Sequence, residues 1–365
     1  MRRPIAPIGI ALHVMALALC GCGRSDVDEA EPELPAWLTE DESAAEPESI
    51  ELAAADSARA PALDRAVLQL SLHPGDRFPL RKVVEQELIQ ASLNGVPQIS
   101  RSTLELLLAI TVEDVQSDRT RLSVRYDRVR YSHEVAGEQV QYDSASPPAH
   151  IPEAALAYHG MLNGGFAIDL GADNQIAGVS GFREFLDRCL QHVPADQRQR
   201  VMLDIEAKSG ENGIADFVDN TIGLLPAAGD KAVGDTWEMA RHIGRPIPML
   251  VTTVYTLKGL NDSLADIGVT GTISPSTTLG QSTDSDQGVR IIVQGGSSDG
   301  HCTLYRDSGL PKESRIERIV DMTVQLAGGI EFTQQSRTVT TVESYPAQPA
   351  AGASRDVESP TPRFQ

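Results

Sequence analysis

Gly296-Ser297-Ser298-Asp299-Gly300 fits G-x-S-x-G, the spacing that holds a serine nucleophile on a sharp turn between a strand and a helix. The residues after it, His301-Cys302-Thr303-Leu304-Tyr305, have strand composition, so the segment reads as a hairpin turn, with His301 too near in sequence to serve as its base. Asp284-Ser285-Asp286 lies in a Ser/Thr/Gly-rich stretch but lacks the later glutamate of an EF-hand calcium loop. His73, His133, His150, His159, His192 and His242 show no metal-ligand spacing, and there is no H-E-x-x-H, C-x-x-C or Walker-type loop. The expectation is no catalytic, cofactor-binding or metal-binding residue. A serine hydrolase using Ser298 is the alternative.

Cysteine chemistry is the next candidate. Cys189 and Cys302 both lie in the body of the chain, and two is the number one bridge needs. Export would permit oxidation, and a Cys189–Cys302 disulfide would close a loop of about 110 residues, for which chain entropy gives roughly 4–5 kcal/mol. The competing reading is two separate buried thiols, because Cys189 falls on an apolar helical stripe.

The other two cysteines flank the end of a leader. Arg2 and Arg3 supply a positive start, and Ile5 to Leu19 form an apolar run of signal-peptide length, too short for a permanent transmembrane helix. In Leu19-Cys20-Gly21-Cys22, only Cys22 has a small residue just before it and a leucine three before. This resembles the lipobox of bacterial lipoproteins. The resemblance implies cleavage after Gly21, a thioether-linked diacylglycerol on Cys22, and anchoring at an envelope membrane, which is stable when more than one acyl chain inserts.

From Arg24 to Arg59 twelve acidic residues face two basic ones, which accounts for half of the chain's net charge of −20. Like-charge repulsion and Pro32, Pro35 and Pro47 oppose a packed core, so residues 22–63 are expected to be a disordered tether. Its reach would lie between about 35 Å as a coil and about 120 Å when extended. Pro35-Ala36-Trp37-Leu38 is an apolar spot within it, either a short binding motif or an incidental exposed tryptophan. So acidic a chain, without a Lys/Arg run, is not built for nucleic acid or for anionic lipid headgroups.

Residues 64–346 are expected to form one α+β domain, with 347–365 a disordered tail. Leu104, Leu106, Leu108, Ile110 and Val112 alternate on one face, and beyond a turn at Ser117-Asp118 so do Leu122, Val124 and Tyr126. Val320, Met322, Val324 and Leu326 repeat the pattern, and Gly328-Gly329 turns the chain into Phe332 to Val342. The fold class is a curved antiparallel sheet or half-barrel. Its buried face is expected to be covered by a helical block over 152–223, on the stripes Phe182, Phe185, Leu186, Cys189, Leu190, Val193 and Ile214, Phe217, Val218, Ile222.

A duplication of halves 64–180 and 230–346 would explain why Gly75-Asp76-Arg77-Phe78 reappears as Gly234-Asp235-Thr236-Trp237. Ile110 to Val124 would then match Tyr255 to Val269, and the hairpin at Phe166 would match that at Cys302. Both Gly-Asp-x-aromatic motifs, Leu122 to Tyr131 and Thr272 to Ser276 together resemble a bacterial domain-of-unknown-function family of planctomycete-type envelope proteins, over about residues 66–345. That resemblance implies no catalytic residues.

The expected function is therefore a membrane-anchored envelope lipoprotein displaying a non-catalytic module. Its partners would be the membrane, through Cys22, and an unknown envelope protein or apolar ligand. A purely structural envelope role is a further alternative. An aromatic content of 4% argues against a sugar-binding platform of stacked rings. Cys22→Ala should leave an uncut or soluble chain, read by membrane fractionation and gel mobility.

Overall fold

The computed structural model describes residues 65–91, 97–135, 137–172, 176–198, 201, 224–226, 230–243, 247–276, 282–284, 290–326 and 329–345. Cys22, the tether, the tail and the stripe from Ile214 to Ile222 lie outside them. Contacts group the chain into Met1–Ala62 and Leu63–Gln365, and every described element belongs to the second unit.

Alternating β-branched and leucine residues produce long strands. In chain order these are β1 (Arg65–Val67), β2 (Arg77–Gln90), β3 (Gln98–Val115), β4 (Arg119–Val135), β5 (Glu138–Asp143), β6 (Gly165–Gly171) and β7 (Ile176–Ser180). After them come β8 (Asp230–Ala232), β9 (Thr236–Ile243), β10 (Met249–Leu260), β11 (Leu264–Pro275), β12 (Ser282–Asp284), β13 (Arg290–Tyr305), β14 (Pro311–Gln325) and β15 (Glu331–Ser344). Two short helices, α1 (Leu156–Gly160) and α2 (Phe182–Cys189), complete the described elements with a 3-10 turn at Glu153–Ala155. Helix in the 152–223 block is thus confined, among the described residues, to these pieces and to positions 198 and 201, with the β6–β7 hairpin between α1 and α2.

Thirteen strands form one curved, open antiparallel sheet in the order β7-β6-β4-β3-β2-β15-β14-β13-β11-β10-β9, with β5 beside β4 and β12 beside β13. β1 and β8 pair separately. Register keeps the apolar phase continuous from strand to strand. Leu80 lies opposite Leu108, Val342 opposite Lys82 and Ser314, and Cys302 opposite Ser314 and Ile267. In β4 a bulge at Asp127 shifts the phase by one residue, so Tyr126, Val129 and Tyr131 share the buried face despite their uneven spacing.

The helices cover the first half of this face. Phe185 is fully buried, stacks on Tyr126 at 5.4 Å and meets Phe166 edge-on at 5.5 Å, while Tyr158 of α1 lies 4.5 Å from Tyr131. A second cluster fills part of the other half, where Ala66, Leu68, Leu224 and Leu225 cover Leu257, Ala265, Ile267 and Leu304.

The repeated motif builds the same turn twice. The Gly75 N–H donates to the Val112 carbonyl and the Gly234 N–H to the Leu257 carbonyl, both at 2.8 Å. The N–H groups of Val112 and Leu257 return bonds to the carbonyls of Asp76 and Asp235 at 2.9 and 3.0 Å. Each aspartate carboxylate accepts the N–H three residues earlier, His73 at 3.0 Å and Ala232 at 2.8 Å. Both glycines hold a positive φ, 91° and 97°, which explains why glycine stands there.

The equivalence extends outwards. Bulges fall at Val112/Asp114 and Leu257/Gly259, then at Asp169/Leu170 and Thr303/Leu304. The strand series β2-β3-β4-β6-β7 therefore corresponds to β9-β10-β11-β13-β14, and β15 joins the two by pairing with β14 and β2. After β7 the chain enters α2 instead of forming a counterpart of β15, and the sheet stays open with β7 and β9 as edges.

Asp76→Ala and Asp235→Ala should each lower unfolding free energy by about 1–2 kcal/mol, with asparagine retaining most of it, in urea denaturation.

Candidate functional site

Ser298 lies inside β13, not on a hairpin turn, and is 5% exposed. It faces Arg318 on one neighbouring strand and Gly271 on the other. Alternation puts His301 on the opposite face. The flanking glycines have a packing explanation: a Cβ on Gly296 or Gly300 would run into the carbonyl oxygens of Ile319 and Arg315. The strands approach too closely there for a side chain, a demand that the sequence alone did not reveal.

Cys189 and Cys302 are free thiols, which corrects the expected bridge. Cys189 is buried in the helix-covered cluster and Cys302 in the other cluster, opposite Ile267 and Ser314. Each thiol satisfies a different part of the core. Burial pushes the Cys189 thiol up to about 12 and raises Cys302 as well.

Asp284 ends the short β12, and its partners in the Asp-Ser-Asp run lie outside the described residues. No cluster of three or more His, Cys, Asp or Glu side chains that could hold a metal occurs among the described residues. One histidine contact escaped the sequence reading: the Tyr142 hydroxyl is 2.6 Å from His159 Nδ1, and the His192 ring lies 6.4 Å from that of His159. Burial and then the neighbouring His192 lower the His159 pKa.

The two faces of the sheet differ in kind. On the open face an ion-pair ladder crosses β5, β4, β3, β2 and β15 from Asp143 through Arg130, Glu105 and Arg81 to Glu343, with separations of 2.8–3.4 Å. Arg337 extends a second ladder between Glu317 at 2.6 Å and Glu87 at 4.0 Å, and Arg101 reaches Glu87 at 2.8 Å. Burial would raise the Glu105 carboxyl, but hydrogen bonds from Arg81 and Arg130 outweigh it and hold the group below its ordinary value. Such exposed pairs contribute about 0–1 kcal/mol each, so they say more about surroundings than about stability. An arginine on a lipid-facing strand costs about 2–4 kcal/mol at the bilayer midplane. This face is made for water.

The covered face is largely apolar, with neutral polar residues such as Gln334 and Thr340 and an inward cation on each of three strands. In β2, Lys82 continues the phase of Phe78, Leu80 and Val84; in β9, Arg241 continues that of Trp237, Met239 and Ile243. In β14, Arg318 continues that of Ile316, Val320 and Met322. A cation in an apolar phase was the sequence signal that could have found them.

Arg241 and Arg318 line a cavity of about 90 Å³ together with Met239, Val251, Tyr255 and Ser298. Burial pushes the Tyr255 phenol up to about 12, opposed by the positive charges of Arg241 and Arg318, so both guanidiniums lie within electrostatic reach of it. Trp237 stacks on Tyr255 at 5.7 Å beside the cavity.

Residues 117–311 match a family of unknown function, DUF6263. No curated protein sequence matches the chain. Among solved structures, a lipovitellin studied for its lipid–protein interactions is similar at 13% identity and a TM-score of 0.43, over 78% of this chain and 26% of that one. The chain thus spans about a quarter of that protein. An outer membrane channel from Pseudomonas putida F1 is similar at 9% identity and a TM-score of 0.21, over 76% and 97% of the two chains. The translocator domain of the autotransporter NalP from Neisseria meningitidis is similar at 7% identity and a TM-score of 0.17, over 76% and 91%. No helix among the described residues is long and apolar enough to cross a membrane.

Iodoacetamide at pH 8 should leave Cys189 and Cys302 unmodified in the folded chain and label both in denaturant without reductant, as read by peptide mass. Labelling that required reductant would restore the bridge.

Proposed function

The chain belongs to the DUF6263 family, which has no assigned activity, and we propose that it is an envelope lipoprotein whose sheet binds an apolar or amphipathic ligand without catalysis. The observation that carries this function is the contrast between the faces: a charged, water-compatible open face and an apolar face with a lined cavity. Ligand sites are typically concave with polar groups that fix orientation, and this cavity joins Arg241, Arg318, Thr253 and Ser298 to the apolar side chains of Met239, Val251 and Ile316.

Ser298 is better understood as part of this lining than as a nucleophile. It sits in mid-strand with His301 on the far face, whereas a nucleophile elbow needs a strand-to-helix turn and a base within hydrogen-bond reach. The acidic tether and the lipid on Cys22 would hold the module at an envelope membrane surface while leaving it room to reach a ligand or partner.

Chain extracted from membranes in mild detergent should carry a co-purifying apolar molecule in native mass spectrometry. Cys22→Ala chain should carry it too, because the residues lining the cavity all come from β9, β10, β11, β13 and β14. Bare protein in both preparations would favour a purely structural envelope role.

A further inference from the structure

Equivalent strands allow the two halves to be compared position by position. Opposite-strand register makes Arg241 the counterpart of Lys82, since Arg241 faces Val251 as Lys82 faces Leu106. In the same correspondence Tyr255 matches Ile110, and Ser298 matches Gly164. The first half closes this corner with its helix: a Cβ on Gly164 would lie 3.1 Å from the ring of Phe185. The second half has its cavity at the matching corner, and Ser298 supplies a hydroxyl where Gly164 made room for a ring.

Charge sorts the same way. Glu238, Asp266, Asp299, Glu313, Glu317 and Asp321, on the strands around the cavity, all fall on the open face by register. The cavity lining therefore includes two guanidiniums and no carboxylate among the described residues. Arginine carries five donors in a fixed fork, so it can accept a ligand oxygen beside the bonds it already makes. Met239, Ile243, Val251, Val269 and Ile316 provide the apolar wall next to those donors.

We propose that the cavity is a site for a monocarboxylate with an aliphatic chain, the carboxylate meeting Arg241 and Arg318 and the chain lying along the apolar wall. This deepens the ligand-binding function above and rests on it. A planar carboxylate matches a guanidinium fork, and the pairing has its full strength in a cavity partly withdrawn from water. An alcohol of the same length offers the same chain without the charge, and a quaternary ammonium reverses it.

The test uses full-length chain carrying Trp37→Phe, so that Trp237 beside the cavity is the only indole, titrated with octanoate, 1-octanol and octyltrimethylammonium. Octanoate should change Trp237 emission and bind about tenfold or more tightly than octanol, with octyltrimethylammonium weakest. Arg241→Gln and Arg318→Gln should each bring octanoate towards the octanol affinity while leaving octanol binding unchanged, and Arg→Lys should recover part of the difference. Equal binding of octanoate and octanol by the parent chain, or equal loss of both in the glutamine variants, would overturn the carboxylate site and leave apolar binding standing. Failure of all three probes to bind would overturn the broader function as well. The comparison of probes needs no arginine variant, so a variant that does not fold leaves it decisive.

Discussion

Alternation along each strand, kept in phase across the whole open sheet, is the constraint on which everything else in this molecule depends. A slip of one residue anywhere between β7 and β9 would carry leucines to the ion-pair face and glutamates to the core. The bulge at Asp127 shows the constraint at work, restoring phase where the spacing of Tyr126 and Val129 would break it. With phase preserved, the hydrophobic contribution collects on one face and the charge of the sheet strands collects on the other, except for Lys82, Arg241 and Arg318. Those three stand out because the rule around them is so consistently obeyed.

The two halves of the sheet repeat one pattern of turns and strands, and the first half departs from it where the second keeps a cavity. Two aspartate-locked turns start equivalent strand series, and two bulges in each series fall at matching places. The second series then gains β15, which joins the halves through the centre of the sheet, while the first turns into α2. That helix places Phe185 over the first half and leaves β7 as an edge. The same change thus leaves the sheet open and plugs one of two equivalent corners, while the other corner keeps a cavity lined by arginine and hydroxyl groups.

The ion-pair ladders set this sheet apart from a membrane barrel in how its faces meet solvent. Membrane barrels put apolar side chains outward and polar ones in the lumen, and they close to remove edges. Here Arg81, Arg101, Arg130 and Arg337 occupy the open face, the covered face is packed with leucine, valine and aromatic residues, and among the described strands β7 and β9 remain edges. The solvation is thus the inverse of a membrane barrel's.

The sequence by itself determined the local rules: the strands from Leu104 to Tyr126 and from Val320 to Val342, the α2 stripe and the paired Gly-Asp turns. Each of these is written in neighbouring residues through period 2, period 3.6 or a glycine with positive φ. The lipobox resemblance at Cys22 is equally local. Only the tertiary structure decided which distant residues meet. Cys189 and Cys302 number enough for a bridge, yet register and helix docking assign them to different clusters. Gly296 and Gly300 resemble a catalytic motif in sequence, but the close approach of β14 is what makes them glycine. Arg241 and Arg318 are 77 residues apart in the chain and share one cavity because β10, β11 and β13 lie between their strands in antiparallel register, a non-local pairing that no short window of sequence contains.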